Sequence, residues 1–159
     1  MQQDAISPAN DALIHTYLDI ATHTDDMEQF SHLIAEDCVW VMMPTRHAFQ
    51  GYAQVSTLAK LAGGTRVHND EYKVKILNWW TGGEHFCVEY QHGAIIKRLP
   101  IRGTINICLV CHMREGKFDY IHEYVHAHGV LFKLVMSLGL RVLPSLVQRK
   151  VSKQARGGK

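Results

Sequence analysis

Apolar residues in the first third of the chain recur at three- and four-residue intervals, the spacing that lines one face of an α-helix. From Asp11 the stripe reads Leu13, Ile14, Tyr17, Leu18 and Ala21, with Ser7-Pro8 as its start signal. Thr24-Asp25-Asp26 ends this helix and caps a second one. The second stripe is Met27, Phe30, Leu33 and Ile34, closed by Glu36-Asp37. The apolar run Cys38–Met43, stopped by Pro44, predicts a short buried strand. Thr45–Phe49 reads as a loop. A third, short helix is predicted over Tyr52–Ala62, carried by Val55, Leu58, Ala59 and Leu61 and ended by Gly63-Gly64.

A period of two then replaces the helical one. Four strands are predicted, over Arg66–Trp80, His85–His92, Ile101–Met113 and Lys117–His128. Thr81-Gly82-Gly83, the region from Gly93 to Pro100, and Arg114-Glu115-Gly116 separate them. Helices followed by long neighbouring antiparallel strands is an α+β order. Beyond Gly129 a new stripe appears: Leu131, Leu134, Val135, Leu138, Val142, Leu143, Leu146 and Val147. It predicts an amphipathic helix, interrupted at Gly139 and Pro144, that packs on the sheet, over a pocket mouth or on a partner chain. Lys133 and Arg141 break its apolar run, so it is not a membrane span. Val151–Lys159 is polar and basic and is expected to fray. The organisation is thus one domain over 1–128 and a basic amphipathic extension over 129–159.

Composition adds class and compartment. With 159 residues, 47% hydrophobic and 20% charged, the chain is expected to bury a real core. The net charge of +2 conceals an asymmetry. From Gly129 onward there are seven Lys or Arg and no Asp or Glu, against ten basic and 15 acidic residues before it. That excludes a nucleic-acid role for the body and leaves the tail as a contact for an acidic surface, including a membrane surface. Met1–Asn10 has no apolar signal-peptide core. Cys108 and Cys111 have a CxxC spacing, but on a strand they point to opposite faces and cannot share a metal. With Cys38 and Cys87 they read as reduced, buried thiols of a cytoplasmic protein.

The last strand carries the strongest chemical signal. Phe118, Tyr120, His122, Tyr124, His126 and His128 share one face, and Ile121, Glu123, Val125 and Ala127 the other. A carboxylate on an apolar face is costly to desolvate unless it is paired or lines a cavity. In the strand before Gly93, Phe86, Val88, Tyr90 and His92 share one parity. The face rich in His and Tyr reads as a dimer contact, and His112, His126 and His128 as a lesser, metal-binding alternative. No Gly-rich phosphate loop and no GxSxG elbow is present, and neither metal nor cofactor is expected.

The order of elements resembles the NTF2-like superfamily, in particular its SnoaL-like branch. The carriers are Thr-His-Thr-Asp-Asp after helix one, Ala-Glu-Asp-Cys-Val-Trp-Val-Met-Met-Pro, Phe-Gln-Gly-Tyr opening the third helix, and Arg-Glu-Gly-Lys-Phe-Asp-Tyr-Ile-His-Glu-Tyr-Val at the end, together covering residues 8–128. The resemblance implies a strongly curved antiparallel sheet wrapped as a cone around three N-terminal helices. It also implies a pocket inside the cone and a homodimer formed through the outer sheet face. Within such a cone Glu123 and His92 would form an acid/base pair, with Tyr90 and Tyr17 as hydrogen-bond donors. Trp40, Met42, Phe86, Trp79 and Leu109 would wall the pocket. Limonene-epoxide-hydrolase-like members carry an Asp-Arg-Asp set where Tyr90, His92 and Glu123 stand here. Ketosteroid-isomerase-like members have a helix-one Tyr, matched by Tyr17, and a base where Met43 stands. The His92 and Glu123 combination is most similar to polyketide cyclases and dehydratases. The expected function is therefore cofactor-free acid/base chemistry (isomerisation, dehydration or cyclisation) on a hydrophobic polyketide-, steroid- or terpenoid-like molecule. The alternatives are a non-catalytic protein of the same fold that binds an apolar ligand or a protein partner, and an epoxide hydrolase.

Overall fold

The computed structural model describes residues 6–24, 27–43, 45–63, 74–96 and 101–157. Helix α1 spans Pro8–Asp19. Its start follows from Ser7, whose hydroxyl accepts the Asn10 N–H at 3.2 Å, and from Pro8 in the first turn. Leu13, Ile14 and Tyr17 are its buried stripe. The helix then widens into a π-helical turn, Ile20–Thr24. Asn10, buried at the other end, accepts the Gly116 N–H at 3.1 Å and so ties α1 to the last hairpin of the sheet.

Helix α2 is shorter than the apolar spacing predicts. It spans Met27–His32, and strand β1 already runs over Ile34–Met43. Leu33 and Ile34 therefore leave the helix. The reason is a partner far along the chain: the Phe118 N–H donates to the Leu33 carbonyl at 2.8 Å, and Ile34 pairs with Phe118. The register then shifts before Val39, leaving Glu36 and Asp37 exposed, after which Cys38, Trp40 and Met42 alternate inward. The loop expected over Thr45–Phe49 contains an edge strand, β2 (His47–Gln50), in which Trp40 faces Phe49 across the ladder. Helix α3 spans Tyr52–Gly63 and fully buries Val55, Leu58 and Ala59.

Four strands complete the sheet: β3 (Lys75–Gly82), β4 (His85–Ile96), β5 (Ile101–Arg114) and β6 (Lys117–Ala127). The strand expected from Arg66 falls partly outside the described residues, and β4 runs past His92 into the expected turn. The β5–β6 connection is the two-residue turn Glu115-Gly116, both with positive φ (54° and 73°), the hairpin turn that matches strand twist. The sheet order is β2-β1-β6-β5-β4-β3. Every ladder is antiparallel except β1–β6, which is parallel, so the sheet is mixed rather than purely antiparallel.

Strict alternation fails at one place in β6. Tyr120 pairs with His112 and Phe118 with Met113, so two residues of β6 oppose one of β5 and Asp119 is the extra residue of a bulge. The bulge turns Phe118 inward, away from the outer face on which alternation placed it. It frees Asp119 to bond the His112 Nδ1 at 2.6 Å. Nearby, the Arg114 guanidinium donates to both Asp37 carboxylate oxygens, at 2.6 and 2.8 Å, joining the end of β5 to the exposed corner of β1.

The last element is one helix, α4, Val130–Gly157. It is continuous through Gly139 and Pro144 and through residues 151–157 of the basic stretch expected to fray, of which 158 and 159 lie outside the described residues. Met136, Leu140, Leu143 and Val151 pack on the core, and Val147 is part of it. Among the described residues no helix is long and apolar enough to cross a membrane.

Candidate active site

The helices and the concave face of the sheet line a partly open cavity of about 220 Å³. Tyr17 and the π-turn residues Ile20 and Ala21 form one side, Trp40 and Met42 of β1 another, and Ile105, Ile107 and Leu109 the β5 wall. Met136, Gly139, Leu140 and Leu143 of α4 form a further side. The lining is overwhelmingly apolar. The polar groups on it are few: Glu123, His92, Tyr90, Tyr17 and the Trp40 indole.

Glu123 is held there by strand pairing. It lies level with Leu109 of β5 and Met42 of β1, with its side chain only 5% exposed. The Trp40 indole N–H donates to Glu123 Oε2 at 2.9 Å. A charge-assisted hydrogen bond of this kind compensates a carboxylate for lost water. Trp40 in turn packs edge-on to Phe30, 5.8 Å between ring centres, which fixes the indole.

His92 is also 5% exposed and lies level with Ile105, four residues along β5 from the Glu123 row. Its Nδ1 is 2.9 Å from the Gly93 carbonyl. A carbonyl oxygen only accepts, so Nδ1 is the donor of this bond. Tyr90 stacks against His92, 6.1 Å centre to centre. The Tyr17 ring sits edge-on among Phe30, Phe86 and Phe118 at 5.6 to 5.8 Å.

Seven of the nine residues singled out from the sequence line the cavity: Glu123, His92, Tyr90, Tyr17, Trp40, Met42 and Leu109. Phe86 does not; it is fully buried beneath Tyr17 and Phe118 as core. Trp79 does not either. It faces Val88 across the β3–β4 ladder but stands on the edge strand, 41% exposed, against His15 and Phe86. Sequence reasoning leaves α4 open among the sheet, a pocket mouth and a partner chain, and it misses the part of the wall supplied by the π-turn. The α4 stripe was visible as apolar spacing, but its destination was not.

Cysteine chemistry is disfavoured at Cys38, Cys87 and Cys111. Burial pushes the Cys38 and Cys87 thiols up to about 12, and Cys111, fully enclosed, is also held well above the usual thiol range. All four cysteines are free thiols, and none is on the cavity wall. Among the described residues no three His, Cys, Asp or Glu side chains are grouped to hold a metal ion.

No family model matches the chain, and no curated protein matches it in sequence. Solved structures do match in shape. An LEH-like epoxide hydrolase from M. tuberculosis is 19% identical, with 89% of this chain and 96% of that one covered and a TM-score of 0.58. An NTF2-like protein from Burkholderia xenovorans LB400 is 16% identical, covering 77% of this chain and 93% of that one, TM-score 0.58. A SnoaL-like protein from Jannaschia sp. CCS1 is 10% identical, covering 77% and 90%, TM-score 0.59. Identities this low speak for fold alone, and one fold hosts unrelated activities. With its mixed curved sheet, the helices α1, α2 and α3 and these likenesses, the chain has the NTF2-like fold.

Proposed function

We propose that the cavity is the active site of a cofactor-free enzyme that moves protons on a small hydrophobic substrate. The observation that carries this is Glu123, a carboxylate bonded to Trp40 inside an apolar cavity that also presents His92, Tyr90 and Tyr17. In this reading Glu123 takes a proton from carbon or oxygen of the bound molecule. His92 returns one through Nε2, since Nδ1 is committed to the Gly93 carbonyl. Tyr90 and Tyr17 donate to a carbonyl or enolate oxygen as charge develops. Each proton removed is replaced, so the net result is an isomerisation, or, where an oxygen leaves protonated, a dehydration. Loss of a proton from Glu123 to water and gain of one by His92 from water restore both groups for the next turnover. Closing a ring fits the same groups.

The cavity volume favours a molecule of one or two rings. It exceeds the ~150 Å³ that suffices for benzene in an engineered cavity but falls below the ~300 Å³ lower end of typical ligand pockets. Epoxide hydrolysis, the activity named for the M. tuberculosis neighbour, is less favoured here. Tyr90 and His92 replace two of the three charged groups that the resemblance implies for it. The outer sheet face, with Trp80, Tyr120 and Tyr124 exposed, supports a second copy of this chain seated against it.

The test is deuterium exchange. One- and two-ring enones are screened for binding by thermal shift, and binders are incubated with the protein in heavy water and followed by NMR. Catalysis predicts deuterium entering the carbons next to the carbonyl faster than in buffer. Glu123→Gln should abolish that exchange while ligand binding persists. Binding with exchange no faster than in buffer would replace this proposal with a non-catalytic ligand-binding protein.

A further inference from the structure

The inward side of α4 reads Met136, Leu140, Leu143, Val147 and Val151, packed on the core at helical spacing. The opposite side reads Leu134, Leu138, Val142 and Leu146, every fourth residue, and all four are exposed. Leu138 is 54% exposed although surface helices ordinarily put polar residues there. At 100° per residue, Arg149 and Arg156 fall within about 20° of Leu138, and Arg141 and Lys153 about 60° to either side of it. All are exposed. The first half of the helix therefore has an apolar face on each side, one packed on the core and one exposed, and the second half is basic on its exposed side.

Charge identifies what fits the other. From Gly129 to the end there are seven cations and no acid, while the rest of the chain carries an excess of acidic residues. Two α4 helices set face to face would bring their cations together without a counter-charge. An anionic surface would be attracted to these cations rather than repelled. No helix among the described residues can span a bilayer, so the contact is with its surface. We propose that α4 is a docking helix for an anionic lipid bilayer, with Leu134, Leu138 and Val142 inserted at the headgroup level and Arg141, Arg149 and Arg156 on lipid phosphates.

This contact does not depend on the chemistry proposed for the cavity. One consequence does rest on that reading: because Met136 and Leu140 on the other side of α4 wall the cavity, an apolar ligand dissolved in the bilayer would reach it beside this helix.

The experiment is vesicle flotation of the full-length chain. Vesicles of phosphatidylcholine alone are compared with vesicles of phosphatidylcholine and phosphatidylglycerol, at low and high salt. The expected result is flotation with the anionic vesicles, released by salt and absent with the neutral ones. Arg149→Gln with Arg156→Gln should weaken partitioning by about fivefold per charge removed. Leu138→Gln with Val142→Gln should abolish it. These side chains are exposed, and unchanged thermal unfolding of each variant checks its fold. No flotation with anionic vesicles overturns the proposal. So does equal flotation with both lipids that neither variant disturbs. Self-association in sedimentation that Leu138→Gln abolishes would assign the face to a second copy and overturn it as well. Because the readout is lipid binding, its failure leaves the cavity proposal standing, and the reverse also holds.

Discussion

The Trp40 indole N–H meets the Glu123 carboxylate at 2.9 Å across 83 residues of sequence, joining two strands that run parallel to each other. This bond lets an acid sit in an apolar cavity. Removing the donor with Trp40→Phe takes one hydrogen bond from a buried carboxylate, at a cost of about 1–3 kcal/mol beyond the lost packing. The penalty should shrink once the carboxylate is gone, in a Glu123→Leu background, with a coupling on the order of 1 kcal/mol. Urea unfolding of the two single variants and the double variant measures it. Additive effects would mean that the two side chains do not depend on each other.

Phe118 tests the bulge. Alternation puts its ring on the outer sheet face, whereas the structure packs it against Tyr17, Phe30 and Phe86. Phe118→Ala should therefore cost about 3–5 kcal/mol. Tyr120→Ala, on the exposed face, should cost far less. Chemical denaturation of both variants decides; near-equal small losses would return Phe118 to the surface.

His112 links stability to pH. Its hydrogen bond to Asp119, and secondarily the contact with Glu84 at 3.3 Å, raise its pKa above the ordinary 6.5. The folded state thus holds this proton more tightly than the unfolded chain. The stabilisation is fully present below 6.5 and is lost as pH rises through the folded pKa. Asp119→Asn should then destabilise the protein more at about pH 5.5 than at about pH 9. Thermal unfolding at both values checks this, and a penalty equal at both would remove His112 from the linkage.

Gly139 is a helix interior position whose added Cβ would meet nothing within 4 Å. Gly139→Ala should stabilise the protein by about 0.5–1 kcal/mol through helix propensity. Because the residue is on the cavity wall, Gly139→Phe should instead fill the cavity and weaken binding of any one-ring ligand. Denaturation reads the first effect and ligand-induced thermal shift the second.

Much of this protein follows from local chemistry. The period of Leu13, Ile14 and Tyr17, the cap at Ser7, the run Val55-Leu58-Ala59 and the turn Glu115-Gly116 lead to helices and a hairpin because each depends only on neighbours in sequence. The parity of Tyr90, His92 and Glu123 likewise placed three polar groups on the inner side, since strand alternation is local. What the tertiary structure decided depends on residues far apart. Ile34 left its helix because β6 offered Leu33 a hydrogen-bond donor, and Phe118 turned inward because the β5–β6 register absorbed Asp119. Phe86 became core and Trp79 an edge residue, although their spacing suited a pocket wall, because curvature and strand order assign depth within a face. The destination of α4 was open for the same reason. An amphipathic stripe states that one face will be buried, but only the packed sheet and α3 supply the surface that buries it, and with it one wall of the cavity.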